Sequence, residues 1–284
     1  MNLVVFGEDT YTAAVIESLV KAGHVVSLLV TPDSTTANMK VLEEVTMKCG
    51  IEFMKTADIN SGTVAERIKR VKPELIISAH LRKILKKEIF TLAAKGAINV
   101  HPSLLPKYRG LSPQHQALIH GDRESGVTVH FIEAEVDTGD IVAQQKFAIE
   151  KDDYILQVQA KMLAIYKTIV VQAVESLADG SFKPLKQDMT TLSYFGPLKK
   201  SDRQADLSKT SEELYNLIRA VSLPYKGAFY NEYVFWTAEM VDDDMLKAKY
   251  PEPGVYPEEE EDRLIIRTRD GILISEDFEI TETN

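Results

Sequence analysis

Three polar side chains in the first half of the sequence are of types that can transfer protons or bind a polar ligand. Asn99 and His101 lie two positions apart at the end of a short apolar segment, so on a β-strand the amide and the imidazole share one face. Asp137 lies further along, in the turn-rich segment Glu133–Asp140, from which its carboxylate can reach the same edge of a sheet. An amide, an imidazole and a carboxylate brought together in this way would suit acid–base chemistry.

Spacing alone leaves two interpretations of these residues open. A single histidine is often a hydrogen-bonded structural residue, and residues 137–140 are rich in the turn formers Asp and Gly. In favour of a site, ligands bind at the carboxyl ends of the strands in open α/β sheets. The choice therefore depends on the elements that carry these side chains.

Short apolar runs alternate with amphipathic stretches over the first hundred residues, as strands and helices do in α/β folds. The runs predicted as buried strands are Leu3–Phe6, Val25–Val30, Leu75–Ser78 and Ala97–Val100. The stretches predicted as helices are Tyr11–Ala22, Asn38–Lys48 and Thr63–Val71. We therefore predict an α/β fold with an open, mostly parallel, Rossmann-like sheet that has helices on both faces.

The pattern changes in the second half of the chain. Gly126–Ile132 and Ile141–Ile149 are predicted strands, and Tyr154–Leu177 has the apolar stripe of a long helix. Further on, short strand-like segments separated by turns predict a small, barrel-like, β-rich C-terminal domain. We expect two domains, residues 1–190 and residues 191–284.

The composition argues against nucleic-acid and membrane partners. The formal net charge of the 284-residue chain is −10, whereas proteins that bind a phosphate backbone usually carry a basic face. No apolar run approaches the roughly 18 residues of a membrane span, and the N-terminal segment lacks the basic flank of a secretory signal. Cys49 is the single cysteine, which excludes disulfides within the chain and predicts a cytoplasmic location.

Two other uses of such a fold are disfavoured by the sequence. His115 and His120 have the wrong spacing for a metal site on one helical face, and no cysteine supports them or His130, so we predict no metal. The segment Gly7–Thr10 after the first strand lacks the G-x-G-x-x-G pattern and carries two acidic residues, which argues against a bound dinucleotide.

Three linked segments resemble the signature of the folate-dependent formyltransferases. They read NVHPSLLPKYRG at residues 99–110, GDRESGVTVHF at residues 121–131 and EVDTGDIVAQ at residues 135–144. The resemblance implies that Asn99, His101 and Asp137 are the catalytic residues. In those roles His101 is the general base, Asp137 orients the imidazole and relays the proton, and Asn99 stabilises the oxyanion.

The same resemblance implies that 10-formyltetrahydrofolate is the formyl donor. The donor would occupy a flat slot beside His80–Leu85 and Ala134–Asp140. The candidate contacts in that slot are Leu81, Lys83, Ile84, Val136 and Asp140.

The C-terminal segment bears on the choice of acceptor. Glycinamide ribonucleotide formyltransferases resemble residues 1–190 only, whereas methionyl-tRNA formyltransferase and the nucleotide-sugar N-formyltransferases continue beyond. Residues 217–221 (LIRAV) and 224–229 (PYKGAF) resemble a motif of the sugar enzymes. The segment Thr31–Asn38 is short and contains no Lys or Arg, unlike the basic loop of the tRNA enzyme. The chain therefore resembles most the nucleotide-sugar N-formyltransferases, which implies a nucleotide-linked amino sugar as acceptor and a role in cell-surface polysaccharide biosynthesis.

Candidate acceptor contacts follow from that resemblance. Arg219 is expected to pair with a diphosphate and Tyr225 to stack on a base. Ser103, Lys107 and Arg109, just past the catalytic strand, are further candidates. Two alternatives stay open, a methionyl-tRNA formyltransferase with the same chemistry and a non-catalytic protein that binds nucleotide sugars. The sequence also leaves open whether the chain forms a homodimer.

Overall fold

The computed structural model describes residues 1–33 and 37–281, and their contacts divide them into two units. One unit comprises Met1–Leu111, Gly126–Phe147 and Lys161–Phe195. The other comprises Ser112–Ser125, Ala148–Ala160 and the chain from Gly196 onward. The domain boundary predicted at residue 190 stays a prediction, because contacts alone do not test which segments fold independently.

The first eight strands are β1 (Asn2–Phe6), β2 (Val25–Pro32), β3 (Glu52–Thr56), β4 (Leu75–Ala79), β5 (Ala97–His101), β6 (Arg109–Gly110), β7 (Glu124–Phe131) and β8 (Ile141–Ala148). All of them except β6 join a seven-stranded sheet in the order β3-β2-β1-β4-β5-β7-β8. The strands from β3 to β5 in this order run parallel, and β7 runs antiparallel to β5. The predicted open, mostly parallel α/β sheet is confirmed.

The helices that accompany these strands are α1 (Thr10–Lys21), α2 (Ala37–Cys49), α3 (Gly62–Val71), α4 (Lys87–Phe90), α5 (Pro113–Ile119) and α6 (Ile155–Asp179). Apolar side chains of β1, β2 and β4 form a buried cluster with Ile68 of α3 and Ile89 of α4. Each such fully buried side chain stabilises the fold by roughly 1.5–3 kcal/mol. In the described part of the chain, no helix combines the length and apolar character needed to cross a lipid bilayer.

The C-terminal part contains β9 (Tyr194–Phe195), α7 (Ser211–Val221), β10 (Ala228–Tyr230), β11 (Tyr233–Phe235), β12 (Glu239–Val241), α8 (Asp244–Lys249), β13 (Gly254–Glu258), β14 (Arg263–Arg267), β15 (Ile272–Ser275) and β16 (Phe278–Ile280). Strand β9 pairs in parallel with β6. The later strands form a three-stranded sheet, β10-β11-β16, and a four-stranded sheet, β12-β15-β14-β13. The predicted β-rich character of this region is confirmed.

Candidate active site

Strand β5 carries Asn99 and His101 to the carboxyl edge of the parallel sheet, as the alternation of side chains predicts. In the pairing of β5 with β7, Asn99 lies opposite His130 and His101 lies opposite Thr128. Asn99 is half-buried, whereas His101 is only 3% exposed. Both residues border a cleft in the first unit. The two predicted residues therefore share a strand face at an edge that a ligand can approach.

The loop between β7 and β8 brings Asp137 back to this edge. Its backbone is left-handed (φ 55°), and the loop packs tightly on β7, since a Cβ at Gly139 would lie 2.0 Å from a backbone oxygen of that strand. The Asp137 carboxylate accepts a hydrogen bond from the Gly110 N–H at 2.9 Å. Its Oδ2 lies 3.5 Å from His101 Nδ1, and its Oδ1 lies 3.4 Å from Asn99 Nδ2. The three side chains singled out in the sequence therefore meet in space.

The hydrogen bond of His101 determines which ring nitrogen can accept a proton. Its Nε2 lies 2.9 Å from the backbone carbonyl oxygen of Tyr108, which can only accept, so Nε2 carries the hydrogen. Nδ1 then holds the lone pair and faces Asp137. Burial lowers the pKa of His101 from its ordinary value of 6.5, and the Asp137 carboxylate raises it by less. The imidazole is therefore a neutral base at neutral pH.

A second histidine, His130, completes the cluster, although from the sequence it was considered only as a metal ligand. Its Nδ1 donates to the Phe131 carbonyl oxygen at 2.8 Å. Its Nε2 therefore accepts from Asn99 Nδ2 at 3.3 Å and faces Asp137 Oδ1 at 3.4 Å. His130 is 1% exposed. Strand alternation could have found it, because it lies directly opposite Asn99 in an antiparallel pair.

The surroundings of Asp137 keep its carboxylate ionised. Burial by itself raises the pKa of this carboxyl group, but the neighbouring imidazoles of His101 and His130 and the hydrogen bond from the Gly110 N–H together outweigh burial. They hold the pKa of Asp137 well below its ordinary value of 3.8. A carboxylate thus lies between two imidazole nitrogens. Among residues 1–33 and 37–281, no group of His, Cys, Asp and Glu side chains is arranged to hold a metal ion.

The cleft beside this cluster has a volume of about 220 Å³. Four of the residues predicted to contact the formyl donor line it, namely Leu81, Lys83, Ile84 and Val136. The fifth, Asp140, lies outside this lining, and its backbone carbonyl accepts from the Phe131 N–H at 3.0 Å. Two further residues line the cleft: Arg82, which lies in the predicted segment His80–Leu85 but was not singled out as a contact, and Tyr194, which was not predicted.

The three predicted acceptor contacts that follow β5 lie outside the lining of this cleft. Ser103 is fully buried and its hydroxyl donates to the Lys107 carbonyl oxygen at 2.6 Å, while the Lys107 side chain is exposed. Arg109 is 4% exposed, and its Nη2 donates to Gln187 Oε1 at 2.9 Å. Their assignment to the acceptor stays a prediction.

The two predicted acceptor contacts of the second unit have protein partners within that unit. Arg219, on α7, is buried and donates through Nε to Asn216 Oδ1 and through Nη1 to the Asp153 carbonyl oxygen, each at 3.0 Å. Tyr225 is half-buried, and its hydroxyl accepts from Gln159 Nε2 at 2.6 Å. Their role in acceptor binding also stays a prediction.

Comparison with known proteins decides the family. Residues 1–174 match the sequence profile of the family described as formyl transferase. The chain belongs to the formyl transferase family. Residues 197–282 of this formyl transferase also match the profile described as formyl transferase, C-terminal domain. The family predicted from the three linked segments is confirmed, and so is the prediction of a formyl-transferring enzyme.

Relatives of this formyl transferase include a methionyl-tRNA formyltransferase and an N-formyltransferase crystallised with a nucleotide sugar. It is 29% identical over 236 residues to the methionyl-tRNA formyltransferase of Fusobacterium nucleatum, covering 81% of this chain and 76% of the relative. The crystal structure of an N-formyltransferase from Helicobacter canadensis, in complex with folinic acid and dTDP-3-aminofucose, matches 98% of this chain and 99% of its own, with a TM-score of 0.76 and 20% identity.

A second solved structure has a similar match. WlaRD, a sugar 3N-formyl transferase solved in the presence of dTDP and 5-N-formyl-THF, matches 97% of this chain and 96% of its own, with a TM-score of 0.75 and 21% identity. At identities this low, the two structural matches establish a shared fold along nearly the whole chain.

Proposed function

We propose that this formyl transferase moves a formyl group from 10-formyltetrahydrofolate to the amine of a nucleotide-linked amino sugar. The observation that carries the proposal is the cluster of Asn99, His101 and Asp137 beside the cleft, with Asp137 within 3.5 Å of both other side chains. This cluster supplies the base, the carboxylate and the amide donor that such a transfer requires. The sugar acceptor is supported by the likeness to an N-formyltransferase crystallised with folinic acid and dTDP-3-aminofucose.

The proposed reaction needs an oxyanion donor and a proton acceptor. The neutral amine attacks the formyl carbon. An N–H of Asn99 gives up its long 3.4 Å contact with Asp137 Oδ1 and stabilises the negative charge that develops on the formyl oxygen, an effect worth about 3 kcal/mol. The attacking nitrogen then loses a proton to Nδ1 of His101, with Asp137 orienting the ring and relaying the proton. The bond between the formyl carbon and N10 of the folate breaks, and N10 takes up the proton. The step requires no covalent enzyme intermediate.

The contact between His101 and Asp137 becomes favourable when the imidazole ring takes up a proton during the reaction. The 3.5 Å between His101 Nδ1 and Asp137 Oδ2 is the separation of two acceptors that lie side by side. A proton on Nδ1 turns this contact into a charge-assisted hydrogen bond, which is about twice as strong as a neutral one. The carboxylate therefore stabilises the imidazolium as it forms.

We assign the cleft to the fused rings and formyl group of the donor. Leu81, Ile84 and Val136 provide apolar walls, while Arg82 and Lys83 provide cations. Its volume of about 220 Å³ is smaller than the roughly 300–1,000 Å³ typical of sites that enclose a drug-sized ligand. The anionic tail of the folate would therefore lie outside the cleft, within reach of the exposed Arg82 and Lys83.

The acceptor contacts remain the five residues predicted from the sequence, Ser103, Lys107, Arg109, Arg219 and Tyr225. Arg219 would meet a diphosphate through Nη2, because its Nε and Nη1 already donate to protein oxygens. We place the enzyme in the cytoplasm, where it would supply formylated amino sugars for cell-surface polysaccharides.

A second candidate function is the formylation of methionyl-tRNA, which is favoured by the relative of that name at 29% identity. Against it stand the net charge of −10 and the absence of Lys and Arg from the sequence Thr31–Asn38. Residues 34–36 of that segment lie outside the described residues, so this argument rests on the sequence alone.

The two candidates are distinguished by supplying the purified chain with 10-formyltetrahydrofolate and either a panel of nucleotide-linked amino sugars or initiator methionyl-tRNA. We expect mass spectrometry to detect a formylated sugar. Rapid formylation of the tRNA, without any sugar product, would refute the sugar assignment. Calorimetry that detects nucleotide-sugar binding but no folate binding would instead favour the non-catalytic alternative.

A further inference from the structure

Residues 185–195 bind the loop that follows β5 through a series of backbone contacts. The Tyr108 N–H donates to Ser193 Oγ at 2.8 Å, and the Arg109 N–H donates to the Ser193 carbonyl oxygen at 2.9 Å. Two residues further along, the Leu111 N–H donates to the Phe195 carbonyl oxygen at 2.9 Å. This loop provides both the carbonyl that binds His101 Nε2 and the N–H of residue 110 that binds Asp137. The 185–195 segment therefore supports the backbone partners of the catalytic cluster.

Within the 185–195 segment, Gln187 connects both loops of the site through its side-chain amide. Its Nε2 donates to the carbonyl oxygens of Asp137 at 2.9 Å and Gly139 at 2.8 Å. Its Oε1 accepts from Arg109 Nη2 at 2.9 Å. Gln187 is half-buried, whereas its neighbours Lys186 and Asp188 are exposed. One side chain thus makes three hydrogen bonds in and around the loop that carries the catalytic carboxylate.

The backbone at Asp137 needs such support, because it has a left-handed conformation. Asp adopts this conformation more readily than most residues with a side chain, but it remains less favourable than the right-handed one. Asp137 Oδ2 must also stay beside His101 Nδ1, and a displacement of about 1 Å near a reacting centre can lower a rate by about 100-fold. Hydrogen bonds to the carbonyls of Asp137 and Gly139 hold the backbone in its left-handed conformation and oppose a displacement of the carboxylate.

We propose that Gln187 is a positioning residue for formyl transfer, holding the Asp137 loop against the loop that contains Arg109. The proposal rests on the proposed function, in which Asp137 acts on His101. It gives Arg109 a second role beside the proposed acceptor contact, because the buried guanidinium donates to the Gln187 side chain. In the described residues, Arg109 Nε has no hydrogen-bond partner, so its contact with Gln187 is made through the Nη2 end of the group alone.

The Gln187→Glu substitution tests the proposal with almost no change in shape. A carboxylate still accepts from Arg109 but cannot donate to the two loop carbonyls. We expect kcat to fall about 10- to 100-fold, with the KM of each substrate changed less than threefold. The reason is that Asp137 is displaced from His101 while the residues that line the cleft stay in place. Gln187→Ala should act in the same direction. Lys186→Ala, an exposed neighbour, is the control, with kcat unchanged.

A second measurement separates positioning from a general loss of folded protein. The titratable groups that face His101 are Asp137, His130 and His80. In Gln187→Ala, which adds no charge beside the cluster, displacement of Asp137 takes from His101 the carboxylate that raises its pKa. The acid limb of the kcat profile and the NMR titration of His101 should then both move to lower pH. Partial unfolding lowers the active fraction without moving either midpoint.

The outcomes are distinguishable from failure of the proposed function. A wild-type chain that transfers no formyl group defeats the proposed function, while the NMR titration still tests whether Gln187 positions Asp137. Variants at Gln187 with kcat within twofold of wild type and an unmoved His101 midpoint would overturn the positioning role. An Arg109→Met enzyme that loses acceptor affinity alone, with kcat intact, would assign Arg109 to acceptor binding and remove it from this network.

Discussion

The Asp137→Asn substitution removes one charge from the cluster of Asn99, His101 and Asp137 while keeping the size of the side chain. An Asn oxygen can still accept from the Gly110 N–H, so the loop should keep its conformation. The attraction between the carboxylate and a protonated His101 is lost, and the atoms concerned lie 3.5 Å apart. At an effective dielectric constant of about 20, Coulomb's law gives about 5 kcal/mol for two unit charges at this separation. At about 1.4 kcal/mol per power of ten, kcat should fall by between three and four orders of magnitude.

The assay for this prediction is the initial rate of tetrahydrofolate release at saturating donor and acceptor, which reports kcat directly. Asp58→Asn is the matched control, because Asp58 is an exposed carboxylate of the same unit and its loss should leave kcat unchanged. Thermal unfolding of both variants should lie close to that of the wild type. An Asp137→Asn enzyme that is folded and keeps more than a tenth of the wild-type kcat would refute the reasoning.

Three further predictions concern the histidines. His101 should be neutral at pH 7 and gain a proton only below pH 6.5, because burial lowers its pKa, so kcat should fall on acidification in that range; an NMR midpoint above 6.5 would contradict this. His130→Phe removes the acceptor of Asn99 Nδ2 and should lower kcat about tenfold, the worth of one hydrogen bond, whereas an unchanged kcat would exclude a role. Burial also lowers the pKa of His115, so the unfolded chain binds more protons below pH 6.5 and stability should fall there. Urea unfolding at pH 7 and pH 5 should show a smaller loss for His115→Gln than for wild type, and equal losses would argue against it.

The elements that carry the site could be predicted because their patterns are local. Strand alternation was sufficient to place Asn99 and His101 on one face of β5, and the turn-rich sequence around Asp137 predicted a loop there. Strand β3 was not predicted, since it is an edge strand whose side chains are mostly half-exposed and whose sequence, EFMKT, contains no apolar run. Local patterns therefore identified the buried strands and the edge strand β8, but not the edge strand β3.

The partners that the site finds in residues 185–195 could not be predicted, because they are distant in sequence and have no periodic pattern. Gln187 reaches Asp137 across fifty positions, from a segment whose neighbouring side chains are exposed. Arg109 follows β5 and is a candidate acceptor contact, but its burial against Gln187 was not foreseen. Such residues are visible only once the chain path is known, since spacing carries no information about which loops meet.

The hydrogen bond between His101 Nε2 and the Tyr108 carbonyl restricts how the ring can dispose of a proton. The imidazole cannot rotate, and the Tyr108 carbonyl cannot take up the hydrogen of Nε2. A proton that arrives at Nδ1 therefore has to leave from Nδ1, toward the reactants. The departing folate nitrogen is then its natural destination. Formylation by such a site would exchange no hydrogen ion with the buffer during the chemical step. His101 would return to its neutral form at the end of each turnover without losing a proton to solvent.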